Sequence, residues 1–212
     1  MAKIKVLQFS GGQIHDWKGV GAEVNAILTA SDQFQVTRVD EDLNVFAGPQ
    51  LDKYDVVVFY YTVGEITDAQ KDGLLNWIAK GKGYVGIHSA ADSFRNSPDY
   101  RSFVGGWFVT HPRYRQYQVS VLDAEHPITK DLDEFYVTDE QYITDYDPRA
   151  HVLANGLYKG KAYPVAWTKS WGKGHVFYLA LGHDGNACKN DMFKLMLTRG
   201  VEWAAGVAEQ AK

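Results

Sequence analysis

The chain has little cysteine, no long apolar run and no excess of basic charge. Its 212 residues include one cysteine, Cys188, which excludes an intramolecular disulfide and any zinc site built from several cysteines. No uninterrupted apolar run reaches the roughly 20 residues of a membrane-spanning helix. The formal net charge is −4 and the basic residues are scattered, so the sequence offers no basic surface for nucleic acid. We therefore expect a cytoplasmic protein that binds neither membranes nor nucleic acid.

The cysteine and the composition also limit the domain organisation and the chemistry. A lone cysteine near the start of a helix can be a nucleophile, but it more often packs as a small apolar residue. We interpret Cys188 in that second way. A chain of this length with 45% hydrophobic residues can bury one sizeable core, which favours a single domain over residues 1–212.

The first half of the chain alternates between strand and helix patterns. Apolar runs predict strands at residues 3–10, 34–40, 54–64 and 83–89. Helical spacing of apolar residues predicts helices at residues 15–31 and 67–83. Thr67 and Gln70 are spaced as a capping box, and Gly81 is placed to end the second helix. This alternation is typical of a parallel sheet with helices on both faces.

The second half is dominated by strand patterns joined by short turns. They lie at residues 114–123, 134–144, 151–158, 162–171 and 174–182, before a final helix at 190–206. The segment WGKG at 171–174 predicts a hairpin loop. We therefore expect an α/β fold whose mostly parallel sheet carries antiparallel hairpin additions. Tyr114 and Tyr117, taken as exposed on an antiparallel strand, would suit a self-associating edge and a homo-oligomer.

Histidines follow several of the predicted strands. His15 comes after the first strand, His88 ends the fourth, and His183 comes after the strand at 174–182. Because open parallel sheets bind ligands outside the carboxyl ends of their strands, these imidazoles should converge. Glu140 is the carboxylate that we add, since it lies in the strand-like segment 134–144 beside aromatic residues that could dehydrate it.

Such a cluster supports two kinds of chemistry. His88 and Glu140 could transfer protons while His15 and His183 bind the oxygens of a substrate. Alternatively, the same four side chains could ligate a divalent metal such as zinc, with one position left for water. For each histidine considered alone, a hydrogen-bonded structural role is the more common one.

Two further residues are weaker candidates for substrate binding. His111, held by a following proline, could line a pocket or shape a turn. Asp92 could reach the rim of the pocket or cap a helix. The remaining histidines fall in turns or at the opposite edge and are interpreted as structural: His126, His151 and His175.

The segment around His88 has the pattern of a nucleophile elbow. A strand is followed by a sharp turn, with Gly86 two residues before His88 and Ala90 two residues after it. In an elbow, the residue at the apex is the nucleophile. Here the apex is a histidine, and neither cysteine nor serine occupies the nucleophile's register.

Six segments together resemble the ThuA-like family, which is named for trehalose utilisation. They are GYVGIHSAADSF, GGWFVTHP, VLDAEHPIT, TDEQY, PVAWTKSWGKGHVFYLALGH and RGVEWAAG. The resemblance covers nearly the whole chain. It implies a flavodoxin-like three-layer α/β/α sandwich of the class I glutamine amidotransferase-like superfamily. It also supports His15, His88, Glu140 and His183 as pocket residues, and His111 with less support.

The resemblance implies a role in the metabolism of disaccharides or oxidised sugars, with a small-molecule sugar as the ligand. It does not imply amidotransferase activity, because that chemistry needs a cysteine thiolate at the elbow. We expect an enzyme that acts on a keto-sugar or glycoside through a His/Glu pocket, with or without a metal. The alternative is a non-catalytic sugar-binding or regulatory module on a scaffold without the nucleophile. Several proton-active groups at one sheet edge are costly to bury without a purpose, which favours the enzyme.

Overall fold

The computed structural model describes residues 2–207. Its strands are β1 (Ile4–Gly12), β2 (Phe34–Asp40), β3 (Val56–Thr62), β4 (Gly83–Ile87), β5 (Gly106–Thr110), β6 (Arg115–Val121), β7 (Phe135–Asp139), β8 (Ile143–Tyr146), β9 (His151–Tyr158), β10 (Lys161–Trp171) and β11 (Gly174–Leu179). Its α-helices are α1 (Trp17–Thr29), α2 (Asp68–Ala79), α3 (Pro98–Val104), α4 (Gly185–Cys188) and α5 (Asp191–Ala204).

Nine strands form one sheet in the order β2-β1-β3-β4-β11-β10-β9-β6-β7. The first five of these strands are parallel, and each later neighbour pairs antiparallel. The α/β fold with a large sheet is confirmed, and the orientation of its strands is mixed. Because the direction reverses four times after β11, β7 again points the same way as the parallel strands. The carboxyl ends of β1, β3, β4, β11 and β7 therefore all face one edge.

The apolar patterns place helices against both faces of this sheet. Helices α1 and α5 pack with one cluster of buried residues, and α2 and α3 pack with the other. β3 has almost no exposed side chain, which explains its continuous apolar run. At α2 the predicted signals are confirmed: Thr67 and Gln70 form the capping box, and Gly81 adopts a φ of +111° after the helix ends.

The predicted hairpin between β10 and β11 is also confirmed. Trp171 pairs with Gly174, so the loop is two residues long. Gly172 at its first position has a φ of +59°, which glycine adopts without the steric cost of a Cβ. Within residues 2–207, no helix combines the length and apolar character needed to cross a membrane.

Two expectations about the second half were wrong. The segment 134–144 is not one strand, because β7 ends at Asp139 and β8 begins at Ile143 in a separate two-stranded sheet with β5. Tyr117 is not exposed: only 6% of its surface is accessible, since it points into the core beneath β6. Tyr114 is 41% exposed and precedes β6. The predicted self-association therefore loses one of its two residues and stays a prediction.

Candidate active site at the carboxyl edge of the sheet

Four side chains from separate parts of the chain meet at this edge. His15, His88, Glu140 and His183 each offer one ligand atom, and these atoms lie within 4.8 Å of one another. The three imidazole ring centres form a nearly equilateral triangle with sides of 5.0, 5.1 and 5.3 Å. The convergence expected from the strand ends is therefore present in the structure.

His88 sits at the apex of the sharp turn that follows β4. Its φ of +42° is unusual for a residue with a side chain. The turn is so tight that a Cβ at Gly86 would lie 3.1 Å from the Cβ of Ala90, which explains the small residues around His88. The ring is fully buried, and its Nδ1 lies 2.7 Å from the carbonyl oxygen of Ala180, just after β11. Its centre lies 3.9 Å from that of the Tyr142 ring.

His15 lies in the loop that follows β1, after Ile14 with a φ of +72°. Its Nδ1 is 2.9 Å from the Thr62 hydroxyl at the end of β3. Its Nε2 is 3.8 Å from Glu140 Oε2. The side chain is 7% exposed, so the loop buries the ring against the neighbouring strand end.

Asp139 links the loop carrying His183 to the segment carrying Glu140. One carboxylate oxygen accepts a hydrogen bond from the backbone N–H of Gly182 at 2.7 Å. The other accepts from the backbone N–H groups of His183 at 3.1 Å and of Glu140 at 2.7 Å. The Tyr60 hydroxyl donates to the carbonyl of His183. His183 Nδ1 is thereby held 3.1 Å from Glu140 Oε2.

The contact between Asp139 and Gly182 requires a strongly curled sheet. β7 is four strands away from β11, which in a flat sheet would separate them by about 19 Å at the usual strand spacing. β10 carries register shifts between Pro164 and Trp167. Irregularities of this kind bend a strand and increase its twist. The antiparallel half therefore curls until the end of β7 reaches the edge above β11.

The surroundings shift the pKa values of three of these side chains, His88, Glu140 and His183. Burial lowers the pKa of His88 to about 4, against the opposing effect of Glu140. Burial also opposes ionisation of Glu140, but its contacts with neighbouring histidines, His15 and His183 foremost, outweigh that and hold its pKa well below the usual range. The contact with Glu140 raises the pKa of His183. At neutral pH, His88 is therefore an uncharged imidazole beside a carboxylate.

Burial also acts on two groups next to the cluster. It raises the pKa of Asp139 to about 7, against the three backbone N–H groups that stabilise the anion. It raises the pKa of the Cys188 thiol well above its usual range. Cys188 is fully buried in α4, so the structure confirms its packing role.

The weaker candidates have different positions. His111 follows β5, and its Nδ1 lies 2.9 Å from Glu140 Oε1, so it borders the cluster. Asp92 is buried, and the Arg95 guanidinium binds both of its carboxylate oxygens. This pairing occupies the carboxylate, so its contact with a substrate stays a prediction. Ser97, rather than Asp92, caps α3.

Sequence reasoning missed three residues that build the site: Thr62, Asp139 and Tyr142. Thr62 and Asp139 each end a strand whose carboxyl end faces the site, so the rule that selected the histidines could have found them. Tyr142 packs on His88 from the break between β7 and β8. The sequence pattern predicts a continuous strand across that break and gives no local signal for the position of the Tyr142 ring.

Comparison with known proteins agrees with this architecture. The ThuA family model, described as trehalose utilisation, matches residues 5–204. A protein described as ThuA-like from Parabacteroides merdae superposes with a TM-score of 0.84 at 22% identity, covering 96% of this chain and 90% of that chain. A second one from Bacteroides uniformis has a TM-score of 0.79 at 22% identity and covers 96% and 92%.

More distant structures share the fold. A cytoplasmic protein from Salmonella typhimurium LT2 has a TM-score of 0.69 at 14% identity, covering 95% of this chain and 99% of that chain. None of the curated proteins compared with the chain matches it. Because the family model spans nearly all of the sequence, the chain belongs to the ThuA family of trehalose utilisation.

Proposed function

We propose that this protein is an enzyme of carbohydrate metabolism that acts on a keto-sugar or glycoside, with His15, His88, Glu140 and His183 holding a divalent metal such as zinc. The family description, trehalose utilisation, supports a sugar as the substrate. The cluster supports catalysis, because a buried group of imidazoles around a carboxylate is typical of functional sites. His88 and Glu140 are the centre of the proposed site.

The observation that carries the proposal is the contact between His88 and Glu140. His88 Nδ1 faces the Ala180 carbonyl, which only accepts hydrogen bonds, so this nitrogen carries the proton of the neutral ring. The lone pair is then on Nε2, which lies 3.4 Å from Glu140 Oε2. Two acceptors therefore face each other in a buried site. Within residues 2–207, neither His88 Nε2 nor His183 Nδ1 has a hydrogen-bond partner.

A cation between these acceptors would remove the conflict. Bonds of about 2.0–2.1 Å around a tetrahedral zinc separate neighbouring ligand atoms by roughly 3.3–3.4 Å. Glu140 Oε2 lies 3.1, 3.4 and 3.8 Å from the nearest nitrogens of His183, His88 and His15. The donor set of three imidazoles and one carboxylate also suits zinc. All four ligand atoms lie within 4.8 Å of one another, so the residues fit such a metal if it draws the histidine nitrogens closer together.

The residues of the site would then have separate roles in binding the metal, orienting its ligands and contacting the substrate. A bound metal would polarise a sugar oxygen. The neutral imidazoles supply lone pairs, and the carbonyl of Ala180 and the hydroxyl of Thr62 fix the orientations of His88 and His15. Such outer contacts are what hold metal-binding histidines in register. His111 and Asp92 are proposed to contact the substrate at the rim.

The test is elemental analysis of the purified protein, combined with turnover of 3-keto-glycosides. We expect close to one metal ion per chain and activity in the wild type, and loss of both in His88→Ala. His151→Ala is the control, since His151 also pairs with a carboxylate, Asp123 at 3.0 Å, but lies at the opposite edge. A metal-free protein whose turnover is unchanged by His88→Ala would contradict the proposal. Binding of an unmodified sugar without any conversion would instead indicate the non-catalytic sugar-binding or regulatory module.

Two further attributes belong to this proposal. We place the protein in the cytoplasm, as for the similar cytoplasmic protein of Salmonella typhimurium. We also assign the fold to the flavodoxin-like three-layer type of the amidotransferase-like superfamily, a proposal supported by helices that pack on both faces of the sheet.

A further inference from the structure

His111 contacts Glu140 through Nδ1, as His183 does, whereas His15 and His88 contact it through Nε2. Its Nδ1 lies 2.9 Å from Glu140 Oε1 and 2.9 Å from the carbonyl oxygen of Pro112. A carboxylate and a carbonyl both accept hydrogen bonds, so Nδ1 must carry the proton of the neutral ring. The lone pair is therefore on Nε2.

His111 also differs from the others in exposure. Its side chain is 40% exposed, whereas the side chains of His88, His15 and His183 are 0%, 7% and 29% exposed. It does not share Oε2 of Glu140 with them but contacts Oε1. If Glu140 held a metal beside the buried histidines, its Oε1 would remain in contact with His111. The carboxylate of Glu140 would then contact the metal and His111 at the same time.

Aromatic residues define the position of the His111 ring. The Phe108 ring centre lies 5.8 Å from it, and Tyr142 stacks nearly parallel to it at 6.5 Å. Tyr142 and Phe108 also contact each other at 4.4 Å. Tyr142 packs on His88 as well. These contacts place the partly exposed imidazole of His111 beside the buried cluster.

We propose that His111 is the general base of the site and that the substrate is a sugar bearing a carbonyl group next to a C–H bond; this inference rests on the proposed function. The C–H bond breaks, its proton forms a bond to Nε2, and the electron pair moves into a carbon–carbon double bond while the carbonyl oxygen takes up the charge. Return of a proton from Nε2 reverses the step, so no oxidant or co-reactant is needed.

The pairing with Glu140 supports this step. Once Nε2 is protonated, the imidazolium donates Nδ1–H to the Pro112 carbonyl oxygen and lies beside the carboxylate of Glu140, with Nδ1 2.9 Å from Oε1. A metal held by the buried cluster would stabilise the developing oxyanion. A base next to an oxyanion-stabilising group is what removal of a proton beside a carbonyl requires.

The experiment is hydrogen exchange in deuterated water. A 3-keto-glucoside is incubated with wild type and with His111→Asn, and NMR follows deuterium uptake at the carbons beside the carbonyl. Asparagine keeps an N–H donor near the position of Nδ1, which hydrogen-bonds the Pro112 carbonyl oxygen, but has no base at the position of Nε2. We expect exchange by the wild type and a rate about 100- to 10,000-fold lower in the variant, with unchanged metal content.

The outcomes separate the two proposals. Exchange by His111→Asn at the wild-type rate would refute the assignment of His111 alone, as would loss of metal from the variant to the same degree as from Glu140→Gln. A wild type that neither exchanges nor converts the keto-glucoside would refute the proposed function itself. His111→Gln provides a second variant if the asparagine protein does not fold.

Discussion

Replacement of His88 by asparagine should change how stability depends on pH. Asparagine suits this position for two reasons. Its amide can donate to the Ala180 carbonyl as Nδ1 of His88 does, and asparagine tolerates the positive φ of +42° better than most residues. The variant therefore keeps the local structure and removes only the titrating group.

The size of the effect follows from the pKa of His88. Burial lowers that pKa from 6.5 to about 4, so between these pH values the unfolded chain binds a proton that the folded protein does not. The contribution of His88 to the free energy of unfolding is fully present above pH 6.5 and is lost as the pH falls toward 4. Each pH unit is worth about 1.4 kcal/mol, so the whole interval amounts to roughly 3 kcal/mol.

The assay is urea unfolding of chelator-treated wild type and His88→Asn at several pH values between 8 and 4. Other titrating groups contribute to both proteins and largely cancel in the difference. The unfolding free energy of the wild type should fall relative to the variant by roughly 3 kcal/mol over this range. His88→Gln, which also cannot titrate, should give the same slope whatever its absolute stability. A difference that does not change with pH would refute the conclusion that His88 is buried in its neutral form.

Two further predictions concern the proposed metal. Free zinc at 100 times its dissociation constant should stabilise the wild type by about 2.7 kcal/mol and raise its Tm by roughly 5–11 °C, which differential scanning calorimetry measures. Glu140→Gln should lose this increase in Tm, and the control Glu134→Gln, which changes an exposed glutamate, should keep it. Equal increases in both variants would contradict a metal site at Glu140. Asp139→Asn leaves one acceptor oxygen for the backbone N–H groups of Gly182 and His183. The zinc affinity of this variant, measured by competition titration, should therefore fall about 10- to 100-fold. A folded variant with wild-type zinc affinity would show that Asp139 does not position the site.

The histidines of the site were predictable because each one follows its strand closely. His88 directly follows β4, and His15 and His183 lie three and four residues beyond the ends of β1 and β11. For these residues, a local strand pattern and the geometry of parallel sheets are sufficient. Glu140 was selected for the wrong local reason, since it lies in the break after β7 and not within a strand.

The role of Asp139 and the position of Glu140 depend on an interaction that local patterns do not encode. The antiparallel half of the sheet must curl far enough for β7 to reach the loop after β11. The register shifts in β10 begin at Pro164, and a proline inside a strand indicates a bulge or an edge but not how far a sheet curls. Asp139 then fixes the curl at the site, because its carboxylate binds backbone N–H groups from both sides of the contact. The cluster therefore forms only when the whole sheet is folded. In a nucleophile elbow one strand and one turn present the reactive residue, whereas here the turn after β4 presents a histidine that needs partners from three other segments.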